Sequence, residues 1–228
     1  SNWKYPKKPK IPRASYNAPY KSEPLPSKKL SKAKRRKVRQ LRRQIKRHAG
    51  RGLTLAVKRT IQSSQVKNLF SIEQYDEVAA RLGFRYFIDG RDEWALEWAG
   101  NAAKRSGILV PEAHWAAGLA AYRLGRFSES AGHFEALAVS DRVSPWLAAA
   151  GGFWAARVNL MDRNPSGVNP MLKIAAEHPR TFYGILARRV LGWDLDTAWN
   201  TIPLDQSTLT KLATTPRGSR AIALVQGD

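Results

Sequence analysis

Cysteine is missing from all 228 residues. That excludes disulfides, zinc–thiolate centres and thiol nucleophiles, and it suits an oxidising or a reducing compartment equally. Histidine is scarce as well. His48, His114, His133 and His178 are scattered and form no ligand cluster, so no metal site is expected. His114 and His133 can approach each other across a helix pair, where two imidazoles serve as interface polar groups. No apolar run reaches the ~18 residues of a membrane-spanning helix. The opening "SNWKYPKKPK" has no apolar stretch behind its basic residues and does not read as a signal peptide, which leaves the compartment open.

Catalytic loops are lacking too. "AGRGLTLAVKR" and "GGFWAARVNLMDRNPSG" contain glycines, but neither is a G-x-G-x-x-G turn after a strand, and no G-x-x-x-x-G-K-[ST] loop occurs. There is no G-x-S-x-G elbow to expose a serine nucleophile. Nothing points to a cofactor. Among the carboxylates, Glu112 opens a helix, where the positive end of the dipole favours the ionised form, the wrong direction for a general acid. Glu129 and Glu135 fall on helix faces that read as solvated, and Asp92 and Asp194 cap or flank helices. A glycosidase-type acid needs apolar burial to keep its proton, and no local pattern supplies it for any of these. No catalytic residue is assigned.

What the sequence has is cationic charge, unevenly placed. Residues 1–50 hold eighteen Lys or Arg against Glu23 alone, a net +17; residues 51–228 are nearly balanced at +4. Three segments follow. Residues 1–30, "SNWKYPKKPKIPRASYNAPYKSEPLPSKKL", carry recurrent proline and no glycine, and read as an extended basic arm, with Trp3, Tyr5, Tyr16 and Tyr20 interleaved among lysines. Residues 31–50 read as a basic amphipathic helix capped by Ser31, with Val38, Leu41 and Ile45 as a thin apolar stripe. Its Lys34, Arg35, Arg36, Arg39, Arg42, Arg43 and Lys46 repel one another at helical spacing and call for an anionic partner: nucleic acid, anionic lipid or an anionic wall polymer. Residues 51–228 form the body.

The body repeats one grammar: a capping side chain or an early proline opens a short helix, Ala and aromatics line one side, and glycine closes it. Ser71 and Gln74 form a capping box, and Asp89-Gly90 ends that helix. Trp94, Trp98 and Ala102 share a face. In "VPEAHWAAGLAAYRLGRFSESAGHFEALA", Trp115, Leu119 and Tyr122 face one way, Gly118 permits close helix contact, Gly125 breaks the chain, and Ala131, Phe134 and Leu137 line a second helix. This resembles a degenerate tetratricopeptide repeat. Helices are expected to open at Ser144-Pro145, at Asn169-Pro170 and near Thr181, with two more divided by Pro216. No period-two alternation marks a strand. Short helices are marginal alone and must stack on one another. The expected fold is all-α: a superhelical α-solenoid of short antiparallel, tetratricopeptide-like helix pairs behind an extended basic arm. In "HPRTFYGILARRVLG", Phe182, Tyr183, Ile185, Leu186 and Val190 read as a packing surface and Gly184 as a close crossing. Arg180, Arg188 and Arg189 read as an exposed ridge, which with Tyr183 makes a candidate contact for a glycan or polyanion.

Those segments together, "YFIDGRDEWALEWAGNAAKRSG", the Pro111–Ala138 pair, "SPWLAAAGGFWAARVNL", "AAEHPRTFYGILARRVLG" and "RAIALVQGD", resemble the helical superstructure of soluble lytic murein transglycosylases over residues 70–228. The resemblance implies a periplasmic protein whose partner is peptidoglycan. Such enzymes cleave between N-acetylmuramic acid and N-acetylglucosamine without water, leaving a 1,6-anhydro end. Their catalytic Glu opens an E-S-x-F pattern in a separate lysozyme-like domain, followed by a G-L-M-Q stretch. Here Glu129-Ser130 reads "ESAGHF" inside a repeat and no G-L-M-Q follows, so the role is not carried onto Glu129. The resemblance therefore implies a scaffold that is either part of a longer enzyme or a shortened relative. A protein-interaction module of a cell-envelope complex and a nucleic-acid binder acting through the basic arm stay open as alternatives.

Overall fold

The computed structural model describes residues 30–195 and 205–226. The expected extended arm, apart from Leu30, lies outside the described residues. Among these residues there are twelve α-helices, one 3₁₀ turn at Pro165–Gly167 and no strand, so the chain is all-α. No helix among them is long and apolar enough to cross a membrane. The chain divides into two units, Ser1–Leu195 and Asp196–Asp228.

The first unit holds α1 (Lys32–Gly50), α2 (Thr54–Gln62), α3 (Ser64–Leu69), α4 (Ile72–Ile88), α5 (Asp92–Ser106), α6 (Glu112–Arg123), α7 (Phe127–Ala138), α8 (Pro145–Met161), α9 (Val168–Ala176) and α10 (Phe182–Val190). Their ends follow local chemistry. The hydroxyls of Ser31, Ser63, Ser71, Ser144 and Thr181 each accept a hydrogen bond from a backbone N–H in the first turn of the helix they precede. Ser71 and Gln74 close a reciprocal capping box. Gly90, Gly125 and Gly192 take positive φ just past α4, α6 and α10, a conformation that costs a side-chain-bearing residue more than glycine. After Gly52, Ser63 separates α2 from α3. One boundary differs from expectation: α9 opens at Val168 after Gly167, not at Asn169-Pro170, because the 3₁₀ turn feeds directly into it.

Packing runs along the chain. From α4 to α10 each helix lies against the next, with additional α4–α6 and α8–α10 contacts. One core joins Val38, Leu41 and Ile45 of α1 to Val57 and Ile61 of α2, Val66 of α3 and Leu82 of α4; another gathers Phe134 of α7, Val158 of α8, Leu172 of α9 and Ala187 of α10. Three glycines bring backbones together. A Cβ on Gly83 would lie 2.9 Å from the Ala95 carbonyl oxygen, on Gly151 2.8 Å from the Ala138 nitrogen, and on Gly152 2.8 Å from the Met171 carbonyl oxygen. Gly118 instead makes room for the Phe134 ring, and its carbonyl accepts a 2.8 Å hydrogen bond from the Ser130 hydroxyl.

Helix α8 buries residues around nearly its whole circumference because α7, α9 and α10 surround it. Its buried Asn159 is satisfied. The amide donates to Glu135 and to the Ala155 carbonyl, both at 3.0 Å, and its oxygen accepts from Asn164 at 2.7 Å. That pins α8 to α7 and to the turn before α9. In the second unit, α11 (Gln206–Ala213) is capped by Asp205, α12 (Pro216–Gln226) starts at the expected proline, and Thr215 Oγ1 accepts from the Gly218 N–H at 3.1 Å.

Candidate functional site

Helix α1 is amphipathic as its sequence demands, and its apolar stripe is already used. Val38, Leu41, Ile45 and Ala49 are buried against the body. Lys34, Arg35, Arg36, Arg39, Arg42, Arg43 and Lys46 are all exposed. Two of these cations work internally: Arg35 Nε donates to the Leu30 carbonyl at 2.9 Å, and Arg42 pairs with Glu77 of α4. The first turn holds no acid and several cations, which the helix dipole disfavours; each like-charged i,i+4 pair adds roughly 0.2–0.5 kcal/mol of repulsion. Docking of the apolar stripe keeps this helix in place despite its own charge.

At the other end of the unit, α10 departs from expectation in three ways. Arg188 is no part of an exposed ridge. It is half-buried, with Nε donating to the Ala176 carbonyl at 3.1 Å and Nη1 to the Asp194 carbonyl at 3.1 Å, so it ties the end of α9 to the chain beyond α10. Gly184 does not serve a helix crossing; a Cβ there would run into the His178 carbonyl of its own entry turn. The apolar row is largely open: Phe182 is 59% and Val190 64% exposed, and Ile185 is exposed too. Tyr183 is the packed member. Its hydroxyl accepts from Trp154 Nε1 at 3.2 Å, and its ring lies 5.4 Å from that of Phe153. Arg180 and Arg189 are exposed as expected. What remains of the candidate contact is Arg180, Arg189 and the edge of Tyr183 beside an apolar row.

A cleft of about 410 Å³ at the α4–α5 corner was not foreseen. Gly90, Arg91, Asp92, Glu93, Trp94 and Leu124 line it. Trp94 shares a face with Trp98 and Ala102 but reaches past the packed layer and is 46% exposed. The Arg91 guanidinium lies 5.0 Å and the Lys58 ammonium 5.7 Å from its ring centre, with Tyr86 edge-on at 5.4 Å. Asp92 pairs with Arg123 and Glu93 with Arg126. The signal in the sequence was Arg91 next to an acidic pair and a tryptophan directly after a glycine turn.

Glu112 and Glu129 are exposed, Glu129 facing Arg126 at 3.9 Å; Glu135, expected on a solvated face, is instead half-buried because α8 packs against it, and it accepts from the buried Asn159 at 3.0 Å. Asp76 on α4 is fully buried but committed: Arg105 of α5 binds it at 2.5 Å and the Ser106 hydroxyl donates to it at 2.6 Å. His114 and His133 do meet, Nδ1 to Nδ1 at 3.0 Å, in a buried contact between α6 and α7. Burial lowers the His114 pKa to about 4 and that of His133 to about 3, the latter helped by repulsion from His114 and Lys104. Both rings are neutral at pH 7 and share one Nδ1 proton. No group of three or more His, Asp or Glu among the described residues is placed to hold a metal ion.

No family model, no curated protein and no solved structure matches this chain.

Proposed function

We propose that this chain is the non-catalytic helical scaffold of a peptidoglycan lytic transglycosylase, helping to hold murein glycan strands in the periplasm while a lysozyme-like catalytic domain outside these residues supplies the reacting acid. In this reading the helix pairs form a tetratricopeptide-like superhelix. The observation that carries it is the serial packing from α4 to α10, with backbones drawn together at Gly83, Gly151 and Gly152 over the stretch whose sequence resembles that family. One further feature supports it. The Trp94 cleft, with its exposed indole beside arginines and carboxylates, has the chemistry that recognises sugars.

The test is co-sedimentation with purified peptidoglycan sacculi at about 0.5 M salt, where surface electrostatics are screened over a few ångströms, followed by analysis of released muropeptides. The expected result is salt-resistant binding that weakens on Trp94→Ala, and no anhydro product. Absence of binding, or an anhydro-muropeptide released by this chain alone, overturns the scaffold reading.

A second reading, a protein-interaction module in an envelope complex, has one specific observation behind it: the open apolar row of Phe182, Ile185 and Val190 on α10. It predicts that polar substitutions in that row abolish capture of a protein partner and leave sacculus binding untouched.

A further inference from the structure

Residues 30–70 contain fourteen Lys or Arg and no Asp or Glu, and they fold into α1, α2 and α3. Within α1 the buried stripe Val38, Leu41, Ile45 and Ala49 fixes which way every other side chain points. Directly opposite it run Lys32, Arg36, Arg39, Arg43 and Arg47, at intervals of four, three, four and four residues. That spacing keeps all five on one line along the crest of the helix. At 1.5 Å per residue the line is about 22 Å long. All five are exposed, and none has an ion pair or hydrogen bond to another side chain among the described residues. Of the flanking cations, Arg35 bonds to the Leu30 carbonyl and Arg42 pairs with Glu77 of α4, while Lys34, Lys37 and Lys46 are exposed like the crest and add to its charge.

We infer that this crest is a docking surface for an anionic phospholipid bilayer, held by headgroup phosphates and without insertion of the helix. Charge complementarity requires a polyanion. The mode follows from the buried stripe. An amphipathic helix that enters a membrane does so with its apolar face, and here that face is spent on the core, so the contact is electrostatic. The choice of partner follows from what surrounds the crest. In the sequence, residues 1–29 add eight Lys or Arg and Trp3, Tyr5, Tyr16 and Tyr20, the aromatic types that settle at headgroup level beside basic clusters. The surface lies outside the stretch that carries the family likeness, so it does not depend on the scaffold reading, and its test uses no peptidoglycan.

The experiment is co-sedimentation of the full chain with phosphatidylglycerol–phosphatidylcholine vesicles, with pure phosphatidylcholine vesicles and duplex DNA as the other probes. One variant carries Lys32→Gln, Arg36→Gln, Arg39→Gln, Arg43→Gln and Arg47→Gln; glutamine keeps helix propensity, and circular dichroism checks the fold. A charge-matched control carries Arg142→Gln, Arg163→Gln, Lys173→Gln, Lys211→Gln and Arg217→Gln. Each cation at an anionic bilayer surface contributes roughly fivefold in partitioning. The crest variant is therefore expected to lose roughly a hundredfold or more of its vesicle affinity, with the control close to the parent and binding released at about 0.5 M salt. Equal loss in both variants, undiminished binding by the crest variant, salt-resistant binding, equal binding to neutral vesicles, or tighter binding to duplex DNA than to anionic vesicles at the same salt each overturns it.

Discussion

His114 and His133 sit at the contact of α6 and α7 as a pair that must remain neutral. The proton between their Nδ1 atoms serves only one donor and one acceptor at a time, and His133 Nε2 is buried with no partner. Charging either ring would place a cation beside the other, with Lys104 nearby. The consequence for stability has a definite sign. Both groups have folded pKa values, about 4 and about 3, below the 6.5 of an ordinary histidine. Above pH 6.5 neither state binds the protons, and the full stability is present. As pH falls below 6.5 the unfolded chain takes up protons that the folded chain refuses, and stability declines until the folded pKa values are reached. Between about pH 7.5 and pH 5.5 the pair is expected to cost ~3 kcal/mol, read as a lower urea midpoint, and the double substitution His114→Gln, His133→Gln is expected to flatten that dependence. A wild-type midpoint that stays level over that interval would count against the buried neutral pair. The approach of these two rings was legible in the sequence because both fall on the facing sides of a recognisable helix pair. The inward turn of Arg188 was not, since an arginine at the end of an exposed-looking helix gives no sign of which carbonyls lie within its reach.

Helix termini were the most readable feature at the next scale, because a cap and a positive-φ glycine are local events. Ser31, Ser71, Ser144 and Thr181 cap where the sequence said they would. Faces were readable only in part. The sequence pattern gives the direction of an apolar row but not the neighbour that covers it, which is why α10 was expected to pack through residues that are in fact open. Crossing points sit between these extremes, since a glycine in a helix signals close approach without saying to what. Gly151 and Gly132 separate the possibilities. A Cβ at Gly151 meets the Phe134 and Ala138 backbone, which cannot move without shifting α7, whereas Gly132 has nothing within 4 Å. Gly151→Ala is expected to destabilise the fold by about 1–3 kcal/mol through overpacking, and Gly132→Ala to be neutral or stabilising by about 0.5–1 kcal/mol through helix propensity. Thermal melts of the two variants check this; similar shifts in both would mean that α7 and α8 are not in backbone contact.

The whole molecule was legible as a chain of short helices because none of them has an apolar surface large enough to stand alone. How far along the chain each one is coupled was not, because periodicity within a helix carries no information about its second neighbours. In the first unit the cores are arranged serially: the cluster that takes in Ile45 of α1 ends at α6, and the one around Phe134 begins at α6 and runs to α10. Only α6 contributes buried residues to both of these. Stability in such an arrangement is close to a sum of local terms and nearest-neighbour interfaces, so damage should stay where it is made. Ile45 is fully buried, and Ile45→Ala removes a core side chain at a typical cost of about 2–5 kcal/mol. Hydrogen exchange followed by mass spectrometry should then show faster exchange in peptides from α1 to α4 and unchanged protection in α8 to α10. A uniform loss of protection across all ten helices would mean that the first unit unfolds as one cooperative body, and the serial packing would then describe geometry without governing energetics. The same measurement bears on the inferred docking surface: if α1 detaches first, its apolar stripe becomes free, and the electrostatic contact inferred for the docked crest would give way to an inserting helix.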